Sequence, residues 1–285
     1  MGVLDQSTRG WRDVAPMPTG RAYMGFACVG EAGGGGGCSS EGRRLMLVGG
    51  NDGVSQRLRS VSVLDLDSMR WLPADSRLWP DMAKVRNDCA ASTLMSGDVL
   101  VAGGFDGGNT LSSCELFSTS DHRWRTVAPL VEARYLHTLV TLASGDVLAV
   151  GGMGGSAPLR TAEVYSPERN TWAPTAPMSV KREGHAAALL PDGRVLVSGG
   201  VGLKSAEIWN PVTGAWSPAA EMGVERGTAR GVSLPSGEVA VMGGRDATHS
   251  VVDSCELYNA ASNSWTTAPW KLPAAMHAFA AFVLP

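Results

Sequence analysis

The sequence predicts an all-β protein built from radially arranged repeats. Five glycine doublets recur along the 285 residues, each at the end of an apolar run. A tryptophan follows each doublet at 21, 20, 20, 16 and 21 residues from the second glycine. The 36 glycines and 16 prolines fall at repeat junctions, as expected for many short strands joined by tight turns. Self-similarity with a period of about 50 residues is typical of radial β-repeats.

Each repeat has the same internal order, which residues 145–172 illustrate. An apolar strand ends in Gly151-Gly152, a loop follows, and a second alternating strand carries Glu163 and Tyr165 before Trp172 closes the unit. Short polar turns such as SGD precede the doublet strands, and such turns favour antiparallel hairpins. Because a small twisted sheet cannot bury both faces alone, the repeats are expected to pack face to face and to close into a β-propeller.

The domain organisation is predicted to be one propeller over residues 1–285, with six blade positions. Complete blades are expected at 20–75, 76–129, 130–177, 178–221 and 222–270. The sixth blade is shared: residues 1–19 are predicted to supply its outer strands and residues 271–285 its inner strand. No glycine-doublet strand lies between those parts, so the sixth blade is expected to be incomplete. The glycine-rich stretch between the first two strands of blade 1 is expected to be an exposed loop.

The repeats resemble the kelch family over nearly the whole chain. The family pattern is an apolar strand ending in Gly-Gly, then Glu-x-Tyr, then a tryptophan six to seven residues later. Four repeats follow it, with Glu115, Phe117 and Trp124; Glu163, Tyr165 and Trp172; Glu207, Trp209 and Trp216; and Glu256, Tyr258 and Trp265. The first repeat departs from it at Ser62 and Leu64. The resemblance implies a kelch-type β-propeller of five complete four-stranded blades plus an incomplete sixth formed from both chain ends.

Composition argues against several classes of function. A formal net charge of −3 speaks against general nucleic-acid binding, which relies on a concentrated positive field. No apolar run approaches a membrane span, and the first ten residues lack the apolar core of a secretory signal. Two of the five cysteines, Cys114 and Cys255, occupy the same slot in non-adjacent repeats. A disulfide framework is therefore not expected. The sequence instead predicts a location in the reducing cytoplasm.

Five junction arginines recur four residues after a Met or Leu: Arg21, Arg86, Arg134, Arg182 and Arg226. In one interpretation they pair with the repeated glutamates, since a charge near a core needs a partner. In the other, they face a ligand and bind carboxylates or phosphates through their forked guanidinium groups. Similar kelch receptors contact acidic peptide segments through arginines at or next to this position. The binding interpretation predicts that charge reversal at Arg134 and Arg182 leaves the fold intact.

Loops after the glycine doublets are further candidates for partner binding, because loops on one face of a rigid scaffold commonly carry specificity. The candidates are Asn51, Asp52, Phe105, Asp106, Arg245 and His249. Phe105 occupies the slot where kelch binding modules often place a ligand-contacting aromatic residue. The alternative for each residue is an ordinary solvated turn.

No catalytic or metal-binding signature appears in the sequence. His137 and His185 occupy equivalent positions of neighbouring repeats, where buried, hydrogen-bonded roles are expected. The sequence therefore predicts a non-catalytic scaffold without cofactor or metal, which binds a protein partner such as an acidic peptide segment. The alternative is a small-molecule enzyme similar to six-bladed kelch sugar-acid mutarotases. An enclosed axial pocket, lined by Arg with a Glu or His within hydrogen-bond reach, would favour that alternative.

Overall fold

Five antiparallel four-stranded sheets, numbered blades 1 to 5 in chain order, form a ring in the computed structural model. The structure describes residues 15–29, 43–53 and 56–281 in full, and the backbone of Gly2–Asp5, Gly10–Asp13, Ala32–Gly33 and Gly37–Cys38. Every regular element in these parts is a strand. The predicted all-β propeller with five complete blades is therefore confirmed. The described part of the chain contains no helix with the length and apolarity needed to cross a membrane.

The four strands of each blade are given in order from the propeller axis outward. Blade 1 contains Gly25–Val29, Arg44–Val48, Val61–Asp65 and Arg70–Trp71. Blade 2 contains Ala90–Thr93, Val99–Ala102, Cys114–Ser118 and Arg123–Val127. Blade 3 contains Thr138–Thr141, Val147–Val150, Ala162–Ser166 and Thr171–Thr175. Blade 4 contains Ala186–Leu189, Val195–Ser198, Ala206–Trp209 and Trp216–Ala219. Blade 5 contains Arg230–Ser233, Val239–Met242, Cys255–Asn259 and Ser264–Thr267.

Three small hairpins lie beside these sheets: Gly2–Asp5 with Gly10–Asp13, Ala32–Gly33 with Gly37–Cys38, and Met153–Gly154 with Ala157–Pro158. The second of them lies within the glycine-rich stretch of blade 1. The third extends the loop that follows the glycine doublet of blade 3.

The core consists of apolar layers between adjacent blades. Between blades 2 and 3, Leu100 and Leu130 cluster with Tyr165 and Trp172. Trp172 also donates its indole N–H to the carbonyl oxygen of Ala128 at 3.0 Å. Burying such an aromatic ring while satisfying its N–H stabilises the contact between blades. The repeated tryptophan and tyrosine positions therefore hold neighbouring blades together.

Strand direction decides which loops share a face. Because the four strands of a blade alternate in direction, the loop after each doublet and the junction leading into the next blade emerge on the same side. The glycine doublets fix this arrangement. Gly103 has a φ of 62°, and a side chain there would collide with the carbonyl oxygen of Arg134. Gly104 donates its N–H to that same oxygen at 2.9 Å, so the doublet of one blade docks on the junction of the next.

Residues from both segments that the sequence assigns to a sixth blade contact the neighbouring complete blades. Trp71 donates its indole N–H to Ala15 O at 2.9 Å, as Trp172 does to Ala128. In blade 5, Gly244 donates its N–H to Met276 O at 2.8 Å, so the last complete blade contacts the C-terminal segment. The inner strand predicted at 271–285 does not form over 271–281, and 282–285 lie outside the described residues. Among the described residues, no strand pairs with 271–281 to supply a hydrogen-bond ladder.

The cysteines depart from expectation at one position. Cys89, Cys114 and Cys255 are free and buried, as the sequence argument predicts for equivalent slots in different blades. Cys28, however, is disulfide-bonded. Cys28 lies at the end of the first strand of blade 1, beside the glycine-rich stretch that has no equivalent in the other blades. Comparison between repeats could not predict this bond, because the other blades have no cysteine at the position of Cys28.

Candidate binding site at the propeller mouth

Four of the five junction arginines are among the most deeply buried side chains of the protein. Arg86, Arg134, Arg182 and Arg226 are at most 1% exposed. Each donates Nη1 to the carbonyl oxygen of the first glycine in the doublet of its own blade, as Arg182 does to Gly199 at 2.9 Å. The arginine thereby bonds the end of the second strand to the blade junction.

The repeated glutamates complete these contacts. Glu207 lies 3.1 Å from the Nη2 atom of Arg182 and accepts the N–H groups of Ser179 and Val180. Glu115, Glu163 and Glu256 make the same type of contact in their blades. Burial alone would raise the pKa of Glu207, but the backbone N–H of Ser179 and the guanidinium of Arg182 together hold it below its ordinary value.

In blade 1, serine hydroxyl groups replace the repeated glutamate as partners of the junction arginine. Ser62 stands where the other blades have glutamate, and Arg21 donates to the Ser62 hydroxyl at 2.8 Å and to the Ser60 hydroxyl at 3.2 Å. Burial lowers the pKa of Arg21. All five arginines thus occupy positions inside the blades, as the pairing interpretation predicts. The four in blades 2 to 5 offer no accessible surface to a partner, so partner contacts must come from other residues.

The residues around the axis on the face that carries the doublet loops are named the mouth. It comprises two positions per blade: the residue after the junction arginine or Met276, and the residue after the glycine doublet. Its members are Ala22, Asn87, Tyr135, Glu183, Gly227 and His277, together with Asn51, Phe105, Met153, Val201 and Arg245. Backbone hydrogen bonds join the two positions of a blade, as between Phe105 and Asn87 at 2.9 and 3.1 Å. The mouth is therefore rigid at its base and varied in its side chains.

One cluster at the mouth combines aromatic rings with a cation. The rings of Phe105 and Tyr135 have centroids 5.7 Å apart. The guanidinium of Arg57 lies over the Phe105 ring, with its central carbon 5.3 Å from the centroid. Gly107 has a φ of 110°, and a side chain there would press on the Arg57 guanidinium. Contacts of this kind between Arg and an aromatic face are favourable and orient the cation.

A second cluster lies on the neighbouring arc of the mouth. Tyr23 and His277 have ring centroids 6.1 Å apart. The Nη2 atom of Arg245 lies 2.8 Å from Nε2 of His277, and its Nη1 donates to the carbonyl oxygen of His249 at 3.0 Å. Burial and then the charge of Arg245 lower the pKa of His277. The imidazole is therefore neutral at pH 7, and its Nε2 accepts a hydrogen bond from Arg245.

A ring of backbone hydrogen bonds narrows the channel along the propeller axis, just beneath the mouth. One residue per blade position lies in it, two residues after the arginine or Met276: Tyr23, Asp88, Leu136, Gly184, Thr228 and Ala278. Each of the last five donates its N–H to the carbonyl oxygen of the preceding member, at 2.6 to 3.0 Å. All six have positive φ values between 52° and 58°. This axial ring separates the mouth from the channel below it.

The acidic loop candidates have local roles. Oδ1 of Asp106 accepts the N–H groups of Gly108 and Asn109 at 2.9 and 2.8 Å, and these bonds lower its pKa. Asp52 accepts the N–H of Gln56, and Asn51 accepts that of Gly53. Such contacts fix turns from within the loop. These residues shape the loops that carry the mouth, as the turn interpretation predicts.

The structure brings together some of the predicted site residues and adds others. Phe105 and Arg245 lie at the mouth, and His249 is exposed beside Arg245. Sequence reasoning missed Tyr23, Tyr135, Arg57 and His277. For Tyr135 and His277, a signal was available: the residue after the repeated arginine, or after Met276, differs in every blade.

The channel histidines differ in one contact. His185 bonds through Nε2 to the hydroxyl of Thr138, in the preceding blade, at 2.9 Å. His137 has no such partner, because Ala90 occupies the position in blade 2 that Thr138 occupies in blade 3. Both ring nitrogens of His137 are buried without a hydrogen-bond partner. Ala90→Thr is therefore expected to stabilise the fold by about 1 kcal/mol, by giving His137 a hydroxyl partner. Urea denaturation followed by tryptophan fluorescence measures this change.

Ala186→Thr is the matched control for that substitution. Ala186 is the equivalent residue of blade 4, and the next blade has Ala229 where blade 3 has His137. The added hydroxyl then has no imidazole to meet, so Ala186→Thr is expected to be neutral or destabilising. Equal effects of the two substitutions would show that His137 does not bond the new hydroxyl.

Comparison with known proteins agrees with this geometry. The family model described as the Kelch motif matches residues 86–131 and 134–179. A kelch repeat-containing protein from Caenorhabditis elegans, kel-10, is 29% identical over 133 residues. That alignment covers 46% of this chain and 20% of the relative, so it spans a fifth of the relative's length.

A solved structure agrees over most of the chain. The structure of YjhT matches with a TM-score of 0.73, covering 91% of this chain and 88% of that one. Its sequence identity is 15%, so the likeness concerns the fold alone.

Proposed function

Because this chain is a kelch-repeat β-propeller, we propose that it is a non-catalytic module that binds a protein partner through the mouth. Kelch repeats generally mediate protein–protein interactions. The observation that carries the proposal is the pairing of cations with aromatic rings: Arg57 beside Phe105, and Arg245 beside His277. Arginine and aromatic residues contribute a disproportionate share of binding energy at protein interfaces.

The chemistry of the mouth favours an acidic partner segment that also carries an apolar side chain. Neither Arg57 nor Arg245 has an ion-pair partner among the residues that the structure describes. A carboxylate of the partner can therefore pair with either guanidinium, whose forked N–H groups match its two oxygens. The rings of Phe105 and Tyr135 offer an apolar surface next to those charges.

The mouth is also ordered before a partner binds. Backbone bonds join Phe105 to Asn87 and Arg245 to Gly227, and Asp106 holds its own loop. Loops that are already ordered lose less conformational entropy on binding, so more of the contact energy appears as affinity.

The enzyme alternative has weaker support. The axial channel is lined by Arg230, His137 and His185. Within the described residues, however, Arg230 donates to the backbone carbonyl oxygens of Phe279 and Ala229, with no hydrogen bond to a Glu or His side chain. The arginine of the expected acid–base pair is therefore present without its partner, and we favour binding over catalysis.

Substitution of Phe105 tests the proposal. Peptides are selected from a random display library on the wild-type protein, and their dissociation constants are measured by fluorescence anisotropy. Phe105→Ala is expected to weaken binding about 30-fold or more, the change typical of an interface hot spot. Met95→Ala is the control, since Met95 is 48% exposed in a turn on the opposite face. Selected peptides should be enriched in Asp or Glu.

Two outcomes would contradict the proposal. Peptides that bind the Phe105→Ala and wild-type proteins equally, but lose affinity for Met95→Ala, would place the site on the opposite face. If no selected peptide bound the wild-type protein more tightly than the Phe105→Ala protein, protein binding at the mouth would also be contradicted.

A further inference from the structure

The channel on the propeller axis contains a partly open cavity of 240 Å³ beneath the axial ring. The first strands of all five blades line it, and many of the lining side chains are small, among them Ala91, Ala187 and Gly231. A narrower space of 30 Å³, lined by axial-ring residues such as Asp88, lies between the cavity and the mouth. The cavity is smaller than the roughly 300–1,000 Å³ of typical drug-sized ligand pockets, so it suits a small molecule.

Arg230 is the only charged residue among the described residues that line this cavity. Its equivalents in blades 1 to 4 are Gly25, Ala90, Thr138 and Ala186. Nε of Arg230 donates to Phe279 O at 2.6 Å, Nη1 donates to Ala229 O at 3.3 Å, and the guanidinium lies over the Phe26 ring. Its Nη2 has no acceptor among the described residues, which leaves one edge of the cation open to the cavity.

This cation is not balanced by an ion pair in the described part of the chain. Burial lowers the pKa of Arg230 to about 10, so it remains protonated at pH 7. The carboxyl that acts on it electrostatically is that of Asp88, whose pKa burial raises to about 7. Asp88 is therefore only partly ionised at neutral pH. A buried charge without a full counter-charge is costly unless an anion joins it.

His137 supplies an independent observation. It is 6% exposed, lines both the cavity and the narrower space, and has no hydrogen-bond partner at either ring nitrogen. Burial holds its pKa well below the ordinary value, so the ring is neutral and offers one N–H donor. An unpaired donor that is nine-tenths buried calls for a polar ligand or a structural replacement.

Other polar groups of the wall are already engaged. The hydroxyl groups of Thr93, Thr141 and Ser233 each donate to a carbonyl oxygen of the preceding blade, at 2.6 to 2.7 Å. These bonds close the lower part of the channel from blade to blade. Among the described residues of the wall, unused polar atoms remain on Arg230, on both ring nitrogens of His137 and on Nδ1 of His185.

From this arrangement we infer that the axial cavity is a binding site for a small monocarboxylate, held by the open edge of Arg230 and the N–H of His137. A carboxylate presents two coplanar oxygens that match a guanidinium edge. A single cation balances a single negative charge, and the small apolar side chains leave room for a short carbon chain. This site is separate from the mouth and does not depend on partner binding there.

Titration of the purified protein with acetate, lactate and pyruvate tests the inference, with inorganic phosphate and chloride as comparison anions. Calorimetry and thermal shift should both detect saturable binding of at least one carboxylate by the wild-type protein. Arg230→Met should abolish binding, whereas Arg194→Met, on the surface of blade 4, should leave it unchanged. Ala187→Leu keeps Arg230 and fills the cavity, so it should weaken binding about ten-fold or more even if Arg230→Met does not fold.

The pH dependence gives a further readout. Among the described residues, the titratable groups that line these two spaces with Arg230 are Asp88, His137, His185, Cys89 and Tyr23. Burial keeps both histidines neutral and raises the pKa of Cys89 to about 11. Ionised Asp88 competes with the ligand for Arg230, so binding should be tighter at pH 6 than at pH 8. Asp88→Asn should remove most of that difference. Absence of saturable carboxylate binding, tighter binding of phosphate, or unchanged binding by Ala187→Leu would overturn the assignment.

Discussion

Replacing Arg182 with methionine is expected to lower the free energy of unfolding by about 3–5 kcal/mol, the usual cost of removing one partner from a buried ion pair. Glu207 would stay buried without its cation, and the carbonyl oxygens of Gly199 and Ser205 would lose the hydrogen bonds from Nη1 of Arg182. Urea denaturation followed by tryptophan fluorescence measures the loss. The double variant with Arg182→Met and Glu207→Gln should recover part of the lost stability, because glutamine removes the unpaired charge.

Arg194→Met is the matched control. Arg194 forms an ion pair with Asp192 at 2.6 Å, but both side chains are partly exposed. Solvent weakens such a pair, so its removal should cost no more than about 1 kcal/mol. If both substitutions had the same small effect, the junction arginines would not hold the blades together.

The same geometry reverses one expectation drawn from the sequence. The binding interpretation predicts that charge reversal at Arg134 and Arg182 leaves the fold intact. Each reversal would place a second carboxylate beside a buried glutamate, Glu163 or Glu207. The structure instead predicts that the double variant does not fold, because burial leaves those repelling charges unscreened.

Replacing Asp88 with asparagine is expected to stabilise the protein at neutral and alkaline pH. Burial raises the pKa of Asp88 from 3.8 to about 7, so the folded state retains a proton that the unfolded chain releases. The folded state binds more protons between these values, and stability therefore falls as pH rises through this window. Asparagine does not titrate and keeps an oxygen for the Asn87 amide, which contacts Asp88 at 2.8 Å. We expect a gain of up to about 4 kcal/mol at pH 8, shrinking towards pH 4.

Asp106→Asn is the control with the opposite sign. The N–H groups of Gly108 and Asn109 lower the pKa of Asp106, so its ionised form stabilises the folded loop. Its contribution is present above pH 4 and is lost as pH falls below that value. Asp106→Asn should therefore be neutral or destabilising at pH 8. A gain from Asp88→Asn that did not change between pH 4 and pH 8 would show that Asp88 is not held protonated by the fold.

The fold was accessible from sequence because its determinants are periodic. The doublets need glycine, as Gly103 shows, and the tryptophans recur because every blade packs on its neighbour in the same way. Periodicity also marked the junction arginines, but it could not decide between pairing and binding. That decision needed the position of Glu207 relative to Arg182, which depends on the pairing of strands.

Features confined to one blade were harder to predict. The disulfide at Cys28 and the absence of a strand over 271–281 belong to positions where the repeat breaks down. Arg230 breaks it as well, since blades 1 to 4 have Gly, Ala, Thr and Ala at that place. The contact between Arg57 and Phe105 joins loops of different blades and leaves no trace in local spacing.

Partner recognition at the mouth is tested most directly by hydrogen–deuterium exchange of the wild-type protein with and without a selected acidic peptide. The peptide is expected to slow exchange in residues 104–111 and 245–252, the mouth loops of blades 2 and 5. Turns on the opposite face, at 94–98 and 142–146, should exchange at unchanged rates. Slowed exchange confined to those opposite turns, with the mouth loops unaffected, would contradict binding at the mouth.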